Sequence, residues 1–214
     1  MPATQPSKQS SHERQASLIQ AATGLFAKKG FNGTTTKEIA KAAGISEALV
    51  FKHFPTKRAL YAAILAEKVT VSELLGAIEE SARRRDDRRV FTLIASYRIR
   101  PGVDPTLLRL LLFSALEGHE LSDMFFGKHY KVFYDHLAAY IQQRVEDGAF
   151  RQVDPLLAAR AFIGMVVHHR LLHEIFGVPM DRSYEDTIST YVDVFLHGLV
   201  AVPPIGRAKA RRLT

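Results

Sequence analysis

Apolar residues recur at three- and four-residue spacing through most of the chain, the period of amphipathic helices. Ala16, Ile19, Ala22/Thr23 and Phe26 form one such stripe, widened by Leu18, Ala21 and Leu25. It predicts a helix from His12 that ends at Lys28-Lys29-Gly30, where lysines suit the last turn and glycine the stop. "FNGTTT" reads as a loop. "TTKEIAKAAG" predicts a second, short helix capped by Thr35 or Thr36 and stopped by Gly44. A third element, "GISEALVFKHFPTK", runs from Ser46 to Phe54, only ~13 Å at the helical rise. A helix so short is marginal alone, so neighbours must hold it. Thr56, after Pro55, caps a fourth helix expected from Lys57 to about Ala82.

The charge run Arg83–Arg89 predicts a solvated connection or helix end. Helices follow over "VFTLIASYRI", broken by Pro101-Gly102, and over "DPTLLRLLLFSALEG", with an Asp cap and Pro in its first turn. A long segment from Leu121 to Glu146 has an interruption near Gly127, and "DPLLAARAFIGMVVHHRLLHEIFG" repeats the Asp-Pro start. "YEDTISTYVDVFLHGLV" is the last helix, before Pro203-Pro204. No stretch alternates as a strand would, so the class is all-α, with about nine helices. The organisation expected is a disordered segment 1–11, a helix-turn-helix domain 12–56, a connecting helix 57–82, a larger helical domain 83–202 and a basic tail 203–214.

Composition narrows the function. The chain has 214 residues, 47% of them hydrophobic, enough for a real core. No apolar run approaches the ~20 residues of a membrane helix, and the polar N-terminus has no signal-peptide core. There is no cysteine, hence no disulfide framework and no thiolate metal site; a cytoplasmic location is expected. The net charge of +7 is uneven: +6 over residues 1–68, +4 over 203–214, and −3 between them. A basic N-terminal part points to a polyanion partner.

A helix-turn-helix needs a small residue where its helices touch, a glycine in the turn and apolar residues beneath. Ala40, Gly44 and the set Ile39, Ile45, Val50 and Phe54 meet that requirement. Glu47, Ala48, Leu49, Phe51 and Lys52 then fall on the outer face of the third helix, whose first residues would enter a major groove. Thr35 and Thr36 offer hydroxyls at a helix start, and Lys52, His53 and Lys57 add donors or charge for a phosphate backbone.

The stretch "GFNGTTTKEIAKAAGISEALVFKHFPTKRALYAAIL" resembles the N-terminal domain of TetR-family transcriptional regulators, over about Arg14 to Leu65. The resemblance implies a homodimer that binds a pseudo-palindromic operator in double-stranded DNA and usually represses transcription. It also implies a small-molecule effector, held in the C-terminal domain, that releases the DNA. On matching positions Lys37, Glu47, Ala48 and Leu49 would face bases, and Thr35, Thr36, Phe51, Lys52, His53 and Lys57 the backbone, while Ser46 caps the helix and can touch phosphate. The family usually has Tyr where this chain has Phe51. The alternative place for Phe51 is the core.

In the C-terminal half, Leu157, Ala161, Gly164, His168 and Leu171 form a stripe expected at a dimer face, beside Thr187, Tyr191, Val194 and Phe195; intrachain packing would give the same stripe. Phe113, Phe125, Phe126, His129, Tyr130, Phe133, Phe162, Met165 and His169 are expected to line a pocket for a mostly apolar ligand. "HHRLLHE" places His169 and His173 four residues apart, as a metal pair requires. The rival function is therefore a helical metal-dependent hydrolase built on His168, His169 and His173. No HExxH motif is present and nothing fixes a third ligand, so the reading favours a regulator, not an enzyme, with no metal and no cofactor.

Overall fold

The computed structural model describes residues 10–68, 72–100, 102–117 and 130–200, and within them every regular element is helical. Ten helices follow in order: α1 Ser11–Lys29, α2 Thr36–Ala43, α3 Glu47–His53, α4 Lys57–Lys68, α5 Ser72–Arg83, α6 Asp87–Arg98, α7 Thr106–Leu116, α8 Lys131–Glu146, α9 Pro155–Arg170 and α10 Tyr184–Leu199. A π-helical turn, Leu171–Ile175, extends α9. The single helix expected over 57–82 is two helices, α4 and α5, separated by residues 69–71, which lie outside the described residues. The expected tail 203–214 and residues 1–9 also lie outside them. Helix α1 starts at Ser11, one residue before the expected His12, because Ser10 and Glu13 close a capping box.

Local chemistry sets most of the other boundaries. Thr35 and Glu38 form a second capping box at the start of α2, and Gly44 ends that helix in the left-handed conformation (φ 68°). The Ser46 hydroxyl accepts from the Leu49 amide at the start of α3, and the Thr56 hydroxyl from the Ala59 amide at the start of α4. Asp154, ahead of Pro155, accepts from the Leu157 amide at 2.8 Å to start α9.

Two cores hold the described residues together. The first joins Leu18, Ala22 and Phe26 of α1, Ile39 and Ala40 of α2, Val50 and Phe54, and Leu60, Tyr61, Ile64 and Leu65 of α4. Ile45 packs at its edge. Val50 and Phe54 are buried, each contributing about 2 kcal/mol by removal from water, which is how a seven-residue helix stays in place. Leu110 of α7 is buried in this same core, and the Tyr61 hydroxyl donates to the Leu110 carbonyl at 3.0 Å. Thus α7 rides on the helix-turn-helix unit although Tyr61 and Leu110 stand 49 residues apart in the chain.

The second core is built from α6, α8, α9 and α10 around Phe91, whose ring meets Phe162 edge-on at 4.9 Å and Phe195 at 5.0 Å. At its rim, buried Arg144 reaches back to Asp87 with Nε at 2.8 Å and a terminal nitrogen at 3.0 Å, and to Asp147 at 2.8 Å. Tyr140 donates to the same Asp87 carboxylate.

Candidate functional site

The starts of α2 and α3 are brought together by a side-chain link: the Thr36 hydroxyl donates to the Glu47 carboxylate. Around this link Thr35, Lys37, Ser46, Glu47, Ala48, Phe51 and Lys52 are exposed, while Thr36, Leu49 and His53 are half-buried. Phe51 is 45% exposed and does not belong to the core, which removes the alternative placement. A contiguous outer face therefore carries hydroxyls, two lysines, one carboxylate and an apolar ring. Lys41 is exposed in the last turn of α2.

The face is braced from behind by groups that sequence reasoning did not single out. Lys29 pairs with Glu38 at 2.6 Å. That bond, together with the Thr35 amide and hydroxyl, pulls the Glu38 carboxyl down to about 2. The T-x-x-E spacing of Thr35 and Glu38 is the signal that could have found it.

Lys57 is a correction. Its ammonium points inward, donating to the Phe31 carbonyl at 2.8 Å and the Thr34 carbonyl at 2.9 Å, and sits 4.2 Å from the centre of the Phe31 ring. Burial lowers its pKa, an effect the nearby Glu117 charge opposes. It ties the loop before α2 to the start of α4 instead of offering a charge to a phosphate. Glu117, at the end of α7, accepts from the Phe31 amide at 3.2 Å and the Asn32 amide at 3.3 Å. Gly30 makes room for it: a Cβ there would lie 2.1 Å from a Glu117 oxygen, and φ is +74°. Nothing local in the sequence marks Glu117, because its partners are about 85 residues away.

The described members of the expected ligand pocket do not line one cavity together. Phe162 is fully buried against Phe91 and Phe195, and is core. Phe113 faces Gly30 at the α1–α7 contact. Tyr130, Phe133 and Met165 pack on the rim of the second core. Phe125, Phe126 and His129 lie outside the described residues. Of the described members of that set, His169 lines a cavity of about 880 Å³ between the end of α9 and the start of α10, with Leu172, His173, Met180, Thr187 and Tyr191. An aromatic in a helical stripe fits a core and a cavity equally well, which is why period alone misplaced Phe162.

On the outer side of α9, Leu157 (60%), Ala161, Gly164 and His168 are exposed in line, and Val194 (61%) is exposed on α10. Phe195, expected on that face, is buried in the second core. Among the described residues no three His, Asp or Glu side chains gather as a metal site would require. The three histidines diverge: His168 is exposed, His169 meets the Tyr191 hydroxyl at 3.1 Å, and His173 meets the Val178 carbonyl at 3.2 Å. No described helix is long and apolar enough to cross a membrane.

With this geometry in place, comparison with known proteins is specific. Residues 18–64 match the model of bacterial regulatory proteins of the TetR family, and residues 104–198 that of the AefR-like transcriptional repressor C-terminal domain. The HTH-type transcriptional regulator YfiR of Bacillus subtilis is 27% identical over 167 residues, covering 74% of this chain and 78% of that one. AibR, solved in complex with isovaleryl coenzyme A and operator DNA, superposes with a TM-score of 0.67 at 22% identity, over 85% of this chain and 97% of that one. A linker-substituted HlyIIR mutant gives 0.69 at 16% identity, over 92% and 100%. The two structures show the shared fold; the two family models, which meet the helix-turn-helix at one end and the helical body at the other, place the chain in the TetR family of DNA-binding transcriptional regulators.

Proposed function

We propose that the chain acts as a homodimeric repressor that reads a pseudo-palindromic operator with α3 and leaves it when a small, mostly apolar ligand binds the C-terminal domain. The observation that carries this reading is the paired, exposed start of α2 and α3, fixed by Thr36 and Glu47. Glu47, Ala48 and Leu49 at the start of α3, with Lys37, are assigned to base edges, where a glutamate suits a cytosine amino group. Thr35, Thr36, Ser46, Phe51, Lys52 and His53 are assigned to the sugar-phosphate backbone. The capping box leaves the Thr36 and Lys37 amides without helical partners, and these suit a phosphate.

The operator reading requires a dimer, since two copies of α3 must reach successive major grooves, ~34 Å apart. The exposed stripe of α9 and Val194 are the surface assigned to it. AibR, solved with isovaleryl coenzyme A and operator DNA on this fold, supports a small-molecule effector.

The test is a gel-shift titration with the DNA upstream of the chain's own gene, at low and raised salt. A shift that weakens steeply with salt is expected. Lys37→Ala and Lys52→Ala should each abolish it while the mass in solution stays dimeric. Absence of any shift at low salt overturns the reading.

A further inference from the structure

We propose that Arg98, Arg100 and His169 form the head-group site for an amphipathic organic carboxylate in the C-terminal domain. This deepens the effector reading above and rests on it. A cavity of about 100 Å³ opens between the end of α6 and the end of α9, lined by Arg98, Arg100, Arg170, His169, Glu174 and Tyr184 among others. Three guanidinium groups face it and one carboxylate. That carboxylate, Glu174, is already held by Arg170 through both oxygens, at 2.9 and 2.6 Å. Arg170 also reaches the Asp104 carbonyl at 3.5 Å.

Arg98 and Arg100 make no hydrogen bond or ion pair among the described residues. Both guanidiniums lie against one ring, Tyr97, at 5.3 and 5.5 Å from its centre. Arg98 is partly buried, and burial lowers its pKa; Tyr97 opposes that shift and Arg170 adds to it. A half-desolvated cation beside a second cation is an unfavourable arrangement unless an anion completes it.

A second observation concerns His169, which lines the same cavity. The His169 Nε2 atom is buried and has no partner among the described residues, while its Nδ1 is engaged by Tyr191. A buried ring nitrogen left unpaired is costly, and a ligand oxygen would recover that cost. If the Tyr191 hydroxyl donates to Nδ1, Nε2 carries the hydrogen and becomes a donor. Two arginine forks and one imidazole N–H then offer planar, directional donors, the geometry a carboxylate accepts.

The size of the cavity limits what enters. About 100 Å³ holds a head group, not a whole effector. The adjoining 880 Å³ cavity shares His169 and His173 with it, and adds Leu172, Val178, Met180 and Tyr191. An acid with an alkyl or aryl body can therefore lay its carboxylate on Arg98 and its apolar part along α10.

Calorimetric titration of the full chain, without DNA, with octanoate, benzoate, octanamide and inorganic phosphate tests the assignment. Saturable binding of octanoate or benzoate is expected, with octanamide at least ten-fold weaker. Arg98→Gln should weaken the acid at least ten-fold and leave the amide unchanged, and Arg98→Lys should restore part of the loss. Circular dichroism checks the fold, and Arg100→Gln, at an exposed side chain, provides a second variant should Arg98→Gln unfold. The assignment is overturned if neither acid binds, if acid and amide bind alike, if phosphate binds as tightly as the acid, or if neither folded variant changes acid affinity. Adding the acid to the operator complex separates this from the effector reading. Arg98-dependent binding that leaves the DNA complex intact keeps the site and sinks the release mechanism. Release by another molecule, with no Arg98-dependent acid binding, does the reverse.

Discussion

Phe51 points outward from a helix whose Val50 and Phe54 are buried, so the ring is held in water by its neighbours' packing and not by its own. The position is one where the family usually carries a tyrosine. Phe51→Tyr is therefore expected to leave the melting temperature nearly unchanged, as exposed substitutions do. Operator affinity should rise and fall off more steeply with salt, because the new hydroxyl can bond a phosphate. Differential scanning calorimetry and fluorescence anisotropy across a salt series check the two halves. A clear loss of stability would contradict the exposed placement. At this scale the sequence was legible wherever the signal was local. Thr35, Ser46 and Gly44 announce their roles by spacing alone, whereas Lys57 shows only a charge near a DNA-binding helix. Its true partners, the carbonyls of Phe31 and Thr34, exist only once α4 has folded back over the loop.

Helix α6 shows how an element is fixed by polar as well as apolar contacts. Asp87, in its first turn, takes both forks of Arg144 from α8 and the hydroxyl of Tyr140. Removing it leaves a buried guanidinium with Asp147 alone. Asp87→Ala is expected to cost about 3 kcal/mol and lower the melting temperature by about 10 °C. Urea unfolding of the variant measures this. The exposed Arg88–Asp193 pair, one residue away on the same helix, should be nearly silent when Asp193 is replaced by Asn. Equal effects at the two sites would show that the burial of Arg144 does not matter. Element boundaries were readable where caps and glycines stand. The division of 57–82 into α4 and α5 was not, since no glycine or proline falls between them and the charge pattern runs on unbroken.

At the scale of the whole molecule, the all-helical class and the reading head follow from period and spacing, while the arrangement of the C-terminal half does not. Phe162 and Phe195 have the same helical period as a cavity wall or a dimer face, and only the closure of α6, α8, α9 and α10 around Phe91 decides for core. The exposed line Leu157, Ala161, Gly164 and His168, with Val194 beside it, is what remains for a second copy. Val194→Glu places a charge there without touching the core. Light scattering should show a dimer for the parent chain and a monomer for the variant, with operator binding lost in step. A dimer that survives the change places the interface elsewhere.

The attachment of α7 to the DNA-reading third alters what counts as a separable part. Leu110 fills the first core, its carbonyl receives Tyr61, and Glu117 holds the two amides after Gly30. A gene fusion that borrows only the first 68 residues would leave an uncovered apolar surface, a hydroxyl in search of an acceptor and a loop without its anchor. Transplanting this protein's operator preference onto another body therefore means carrying the later helix along with it. The working module is discontinuous in the chain, and its boundary is drawn by contacts, not by order.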